Sequence, residues 1–438
     1  MKYYQFHCLL TKQGWLSPAY IGTDENGIIQ YLSTQKPTEE SADIETIHGA
    51  ALPGFQNAHS HAFQYAMAGA AEQHAENADD DFWSWREAMY QCAETFTPEQ
   101  VEATAMRLYK HLLRNGYTSV AEFHYLHHNK DGKPYSSLAE MGERLIAAAQ
   151  NAGINITLIP VWYQKGDFGK EPQPRQKRFI SATIDDYFKL LEESRKAVSH
   201  YDKAKLGFGV HSLRAVEAND IITCYEQGPK DLPFHLHAAE QLAEVERCIS
   251  YLGKRPVEWL LDNLPLQERF HIVHCTHMTG DETERLAQSG ANAVLCPGTE
   301  GNLGDGIFRL TDFAKAGGNW SIGTDSHISL NPLEDLRWLD YAQRLTRHKR
   351  NTFPDGATTL LNTTFFSGIK AMGSKATDYF AVGQSLDAVV YNIEQPLLAQ
   401  AGLQHLLPAI LYTGDPSMIT GTMVSGKWVY KNRTDTLI

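Results

Sequence analysis

Four short stretches hold the side chains best suited to chemistry. They are AHSH with His59 and His61, HLHAAE with His235, His237 and Glu240, HIVHCTH with His274 and His277, and GTDSH with Asp325 and His327. Imidazole and carboxylate are the ligands that zinc and similar divalent ions take in catalytic sites. His59 and His61 stand two residues apart. In a strand such positions face the same side, so both rings can grip one ion. Taken alone, such a pair is more often two surface histidines in a loop. With His237 and Asp325, and water completing the shell, it makes an ordinary catalytic metal centre. Glu240 lies three residues beyond His237. It can take a proton from an activated water and pass it to a leaving group, or simply favour the start of a helix. His274 is suited to hold or polarise an oxygen formed in the reaction. His211, with Arg214 three residues later, ends another apolar run.

These residues need elements to position them. Short apolar segments, often β-branched and ending in polar residues, alternate with helical patterns. The expected strands are 50–61, 117–125, 154–163, 206–212, 233–240, 270–277, 292–299 and 320–327. The clearest helix is 97–116, with Thr97 as N-cap, Pro98 at the first position, Gln100 at the capping-box position and Gly116 at the close. Eight strand–helix alternations point to an α/β chain folded as a (β/α)8 TIM-like barrel. Chemistry in such a barrel sits at the C-terminal ends of the strands, where His59, His61, His211, His237, His274 and Asp325 all fall. One histidine there is readily a hydrogen-bonded barrel residue; several on separate strands argue for a metal. Residues 1–48 and 382–438 read as short strands and turns, and are expected to pair into one small β-domain beside a barrel of 49–381.

Composition narrows the function. The 438 residues are 42% hydrophobic, ample for a large core, and carry a formal charge of −13. Nucleic acid and anionic membrane surfaces are therefore poor partners. No apolar run approaches the roughly 20 residues of a membrane span. The N-terminal MKYYQFHCLLTKQGW has no apolar run of signal-peptide length. The six cysteines form no CxxC, so reduced thiols in a cytoplasmic protein are expected, and no cysteine-based zinc site.

LPGFQNAHSH, HLHAAE, HIVHCTH and GTDSH together resemble the amidohydrolase superfamily, and most closely its mononuclear-zinc deaminase branch. That resemblance implies a distorted (β/α)8 barrel plus a β-sandwich built from both chain ends. Binuclear members carry a carboxylated Lys at the end of strand four. GVHSLRA has no Lys there, so one divalent ion, zinc, is expected. Longer stretches, NAHSHAFQYAMAG, DFWSWREAMY, SVAEFHYLHH, GVHSLRAV and TEGNLGDGIFRLTDF, resemble the formimidoylglutamate deiminases. Members of that family convert N-formimino-L-glutamate to N-formyl-L-glutamate and ammonia in histidine degradation. The resemblance implies that His59, His61, His237 and Asp325 hold zinc and that Glu240 and His274 are catalytic, with Asp325 beside them. It implies that Gln64, Arg86, Tyr125, His211 and Arg214 contact the substrate, and that the protein is a homodimer. CPGTEGNLG departs from the expected STEANLG in that loop.

A dicarboxylate substrate suits arginines, which grip a carboxylate through paired N–H bonds. Arg86 could equally stack on a neighbouring Trp or pair with Glu87. His127 and His128 read as loop residues rather than ligands. Two other functions compete. A purine, pterin or adenosyl-type deaminase would want aromatic stacking and fewer arginines. A barrel used only for binding or assembly would be expected to have lost ligands, and none is missing here.

Overall fold

The computed structural model describes residues 1–38, 43–72 and 82–432, the Trp83 side chain excepted. Asp81 and that side chain, both in DFWSWREAMY, thus lie outside the described residues. The chain opens with β1 (Lys2–Thr11), β2 (Gly14–Leu16), β3 (Ala19–Thr23), β4 (Ile29–Ser33) and β5 (Ile44–Pro53). β1 pairs antiparallel with β3 and parallel with β5. The expected 50–61 strand is in fact two strands. β5 ends at Pro53 and β6 (Phe55–Ser60) begins a second sheet. Gly54 makes the crossing possible, since a Cβ there would lie 2.2 Å from the Thr118 side chain.

The second sheet is a barrel. β7 (Tyr117–His124) and β8 (Asn155–Trp162) follow β6, then the short β9 (Ala204–Leu206) pairs with β8. β10 (Phe208–Ser212), β11 (Phe234–Ala238), β12 (Phe270–His274), β13 (Asn292–Leu295) and β14 (Asn319–Ile322) complete it. The parallel order is β6-β7-β8-β10-β11-β12-β13-β14. A parallel bridge between Ser60 and Asp325 joins the last strand's end to the first's. The result is the (β/α)8 barrel expected from the alternation, distorted as the family resemblance implies, with helices outside. The strands are buried on both faces, as parallel strands under helices must be.

The helix Pro98–Arg114 forms as its caps dictate. Thr97 Oγ1 accepts from the Gln100 amide, Gln100 Oε1 accepts from the Thr97 amide at 2.9 Å, and Gly116 takes φ 92° just past the end. Val101, Ala105, Leu108 and Leu112 form its buried stripe.

β15 (Ala388–Tyr391), β16 (Ile419–Val424) and β17 (Lys427–Lys431) return to the first sheet, whose order is β17-β16-β15-β5-β1-β3-β4. Both chain ends thus build one sheet. The C-terminal stretch is not only strands and turns, however: Gly402–Thr413 is a helix. Its Leu406, Leu407, Ile410 and Leu411 recur at helical spacing and are buried, a periodicity that the flanking strand-like segments mask. Among the described residues, no helix is long and apolar enough to cross a membrane.

Candidate metal and catalytic site

The C-terminal end of β6 delivers His59 and His61 to one side. Their Nε2 atoms are 3.1 Å apart, and His59 Nε2 is also 3.1 Å from His237 Nε2 on β11. Asp325 Oδ1, just past β14, lies 3.4 Å from His59 Nε2 and 3.2 Å from His61 Nε2. All four side chains are buried. The outward nitrogens explain the orientation. His61 Nδ1 lies 2.9 Å from the Phe123 carbonyl and His237 Nδ1 lies 3.0 Å from the His211 carbonyl. A carbonyl can only accept, so each Nδ1 carries the proton and each Nε2 turns a lone pair inward. Lone pairs converging at this range repel one another unless a cation lies between them. Burial keeps the imidazoles of His59, His61 and His237 below the usual histidine range, His61 at about 3, so all three are neutral, as metal binding would need. Burial pushes the Asp325 carboxyl up, but contact with His59, His61 and His274 outweighs it and holds the group ionised. The residues fit one divalent ion.

Beside this cluster stand Glu240 and His274, with Glu240 Oε1 3.5 Å from His274 Nε2. His274 Nε2 is 4.0 Å from Asp325 Oδ2, and its Nδ1 is 3.3 Å from Glu300 Oε1. Burial raises the Glu240 carboxyl to about 7, against the opposing pull of His274 and Arg214. Burial opposes charge on His274, yet Glu240, Glu300 and Asp325 together raise it to about 10. A carboxyl poised near neutrality next to an imidazolium is an acid–base pair. Glu240 precedes the helix Leu242–Leu252 and its amide donates to Glu244 Oε2 at 3.0 Å, so it also sits at a helix start.

The backbone here is strained. Ala239, His274, Asp325 and His327 all take positive φ, between 48° and 71°. Non-glycine residues held there cost of order 1–3 kcal/mol each and cluster at functional sites.

The pocket that contains Glu240 and His274 is also lined by Gln64, Arg86, Tyr125, His211 and Arg214. Gln64 Nε2 donates to the Tyr125 hydroxyl at 3.0 Å, while its buried Oε1 has no protein partner. Arg86 neither pairs with Glu87 nor lies at the surface: Glu87 is held by Arg175, and Arg86 reaches Tyr163 and lies 5.1 Å over the Tyr90 ring. Arg214 is buried, its guanidinium 5.8 Å from the Phe82 ring centre. His211 Nδ1 is 3.0 Å from Ser212 Oγ.

Other histidines take different places. His127 and His128 bond the carbonyls of Val161 and Ile180 as loop anchors. His235 bonds the Ala371 carbonyl and stacks on His271, and His277 stays outside the pocket. Cys296 lies beside His274 and Glu300, but burial lifts its thiol well above the usual range, so it is a neutral neighbour. Three pocket or near-pocket residues escaped the sequence reading. Tyr163 directly follows β8 and was findable by the strand-end rule. Glu300 lies in the short helix Pro297–Asn302 and Asp305 in the loop after it, a stretch whose only signal is its two acids.

A model of the amidohydrolase family matches residues 50–429, and the chain belongs to that family. Among known proteins it is 41% identical to a formimidoylglutamate deiminase from Pseudomonas aeruginosa, over 97% of this chain and 93% of that one. It is 24% identical to a 5-methylthioadenosine/S-adenosylhomocysteine deaminase from Desulfovibrio desulfuricans, over 87% of this chain and 80% of the other. Its fold is similar to the crystal structure of an amidohydrolase from Brucella melitensis, at TM-score 0.90 and 40% identity, covering 98% and 94% of the two chains.

Proposed function

We propose that this protein hydrolyses N-formimino-L-glutamate to N-formyl-L-glutamate and ammonia, a step of histidine degradation. The observation that carries the reading is one pocket joining a four-ligand cluster, an acid–base pair and two arginines. The 41% identity to a formimidoylglutamate deiminase along nearly the whole chain supports it. His59, His61, His237 and Asp325 are the residues that would hold a divalent ion, and the resemblance to the mononuclear-zinc deaminases makes zinc the ion expected. When bound, such an ion supplies Lewis acidity that makes a water acidic enough to attack near neutral pH.

The chain's own groups do the rest. Glu240 takes the proton of the attacking water at its carboxylate, and the oxygen adds to the formimino carbon. His274 Nε2–H donates to the charge that develops on that oxygen. Glu240 then hands its proton to the nitrogen of the cationic formimino group. The C–N bond breaks and ammonia leaves, while the remaining hydroxyl proton returns to the Glu240 carboxylate as the formyl carbonyl forms. Arg86 and Arg214 hold the two carboxylates, with Gln64, Tyr125 and His211 as further hydrogen-bonding contacts. A nucleobase deaminase fits less well, because two guanidiniums face a substrate without carboxylates.

The reading extends to a cytoplasmic homodimer organised as a barrel of residues 49–381 and a β-domain of 1–48 and 382–438. The six cysteines are free, as a reducing compartment keeps them. Trp338, Tyr341 and Leu345 are exposed at 50%, 40% and 73% along one helix, a face suited to a second copy. The test of function is ammonia release from N-formimino-L-glutamate beside N-formimino-L-aspartate, guanine and S-adenosylhomocysteine, with bound metal measured. Turnover of the glutamate compound alone, at about one metal per chain, is expected. Activity only on a nucleobase would overturn the substrate and leave the metal site standing.

A further inference from the structure

Glu122 lies on β7, is not among the residues lining the pocket above and plays no part in its chemistry, yet its buried carboxylate collects three donors. The Ala62 amide donates to Oε1 at 2.6 Å. Ser60 Oγ and the Tyr109 hydroxyl donate to Oε2 at 2.7 and 3.1 Å. Ser60 sits between His59 and His61, and Ala62 follows His61, so two of the three bonds grip the turn that carries two of the expected ligands.

The contact continues beyond Ser60. Ser60 Oγ is 3.4 Å from His327 Nε2, and His327 Nδ1 is 2.8 Å from Thr324 Oγ1. Thr324 Oγ1 in turn accepts from Asn57 Nδ2 at 2.7 Å. Asn57, Ser60, Glu122, Thr324 and His327 are all at most 5% exposed. Burial raises the Glu122 carboxyl to about 7, against the pull of its Ala62, Ser60 and Tyr109 donors. Once ionised it only accepts, which sets the direction of the Ser60 and His327 bonds behind it. Ser60 must spend its proton on Glu122 and accept from His327 Nε2–H. His327 must then accept at Nδ1 from Thr324, and Thr324 from Asn57. This one-way chain ties β7 to the end of β6 and to the Thr324–His327 turn, where Asp325 and His327 hold φ of 48° and 67°.

We infer that Glu122 is a positioning residue for the metal centre: as terminal acceptor of this chain it holds the turns bearing His59, His61 and Asp325 at the spacing needed to share one ion. This rests on the metal-site reading given above. Partners behind metal ligands typically contribute about 10–100-fold to metal affinity. In Glu122→Gln an N–H group replaces one acceptor, and either the Ala62 amide or the Ser60 bond loses its partner.

The experiment is zinc affinity of the full-length apoprotein, read by competition with a chromogenic chelator, with thermal unfolding of each apoprotein alongside. Wild type, Glu122→Gln, Ser60→Ala, the double variant and His61→Ala are compared. Glu122→Gln is expected to weaken zinc binding about 10–100-fold. Ser60→Ala, which cuts the same link while leaving Glu122 in place, should weaken it too, and the double variant should lose less than the product of the two. Should Glu122→Gln not fold, Ser60→Ala decides. Unchanged zinc affinity in folded Glu122→Gln and Ser60→Ala, even with a lower unfolding temperature, would make Glu122 a merely structural group and overturn the inference alone. A wild type that binds no zinc, or a His61→Ala variant that binds as well as wild type, would overturn the metal-site reading and this inference with it.

Discussion

Glu240 Oε1 and His274 Nε2 face each other at 3.5 Å, both side chains buried, one carboxyl raised to about 7 and one imidazole raised to about 10. Burial is the largest single influence on both and disfavours charge on both: it raises the Glu240 carboxyl, but on His274 it is outweighed by Glu240, Glu300 and Asp325. Only the mutual attraction of the pair, with Glu300 and Asp325 behind it, keeps the imidazole charged. The functional predictions start from this pair.

Glu240→Gln keeps the volume of the side chain and removes the group that accepts and returns the proton. Its kcat should fall by about 10²–10⁴-fold, the usual worth of general acid–base catalysis. Zinc content should be unchanged, because Glu240 is outside the ligand set. Steady-state kinetics with metal analysis decide it; near-normal turnover would remove Glu240 from the mechanism.

The pH dependence follows from the same two groups. Glu240 must be deprotonated to accept a proton, and burial raises its carboxyl to about 7. The rate should therefore rise with pH up to about 7, and a cation bound nearby moves this limb to lower pH. His274 must be protonated to donate, so the rate should fall as pH climbs toward about 10. A bell-shaped kcat/KM profile is expected, without its acid limb in Glu240→Gln. A flat wild-type profile from pH 5 to 10 would contradict the pair.

Arg86→Met and Arg214→Met test the carboxylate grip. A charged hydrogen bond is worth about 1.5–3 kcal/mol, so each variant should lose roughly 10–150-fold in kcat/KM, chiefly through KM. Lys at either position should restore only part of this, since it lacks the planar fork. Equal KM for wild type and both variants would place the carboxylates elsewhere.

Removing the ion should lower stability as well as activity. At zinc a thousandfold above its Kd, binding adds about 4 kcal/mol. Dialysis against a chelator should lower the unfolding temperature, and zinc should restore it. No change on stripping would mean that the four side chains do not hold the ion.

Away from the site, Thr97→Ala removes the N-cap of the helix Pro98–Arg114 and one half of its reciprocal pair with Gln100. A loss of about 1 kcal/mol is expected in denaturant unfolding, with kcat unchanged.

The local rules were legible in the order of residues. The caps of Pro98–Arg114 need only Thr97, Pro98 and Gln100, because capping is settled within one turn. The strand–helix alternation announces a barrel, and the same-face rule places His59 beside His61, because both depend on short-range periodicity. What the chain does not spell out is where strands end and which distant groups meet. Gly54 separates β5 from β6 only because Thr118 presses against it from β7. The helix Gly402–Thr413 lies between strand-like segments and is recognisable once its apolar stripe has something to pack on. Arg86 is turned from Glu87 toward Tyr90 and Tyr163, residues 4 and 77 positions away in sequence. The proton affinities of Glu240 and His274 depend on burial and on each other, and neither quantity exists before the barrel closes. Sequence alone thus determined the donor types and the strands that carry them. Tertiary structure decided their distances, their charge states and the Glu122 anchor behind them, because those depend on contacts between residues far apart in the chain.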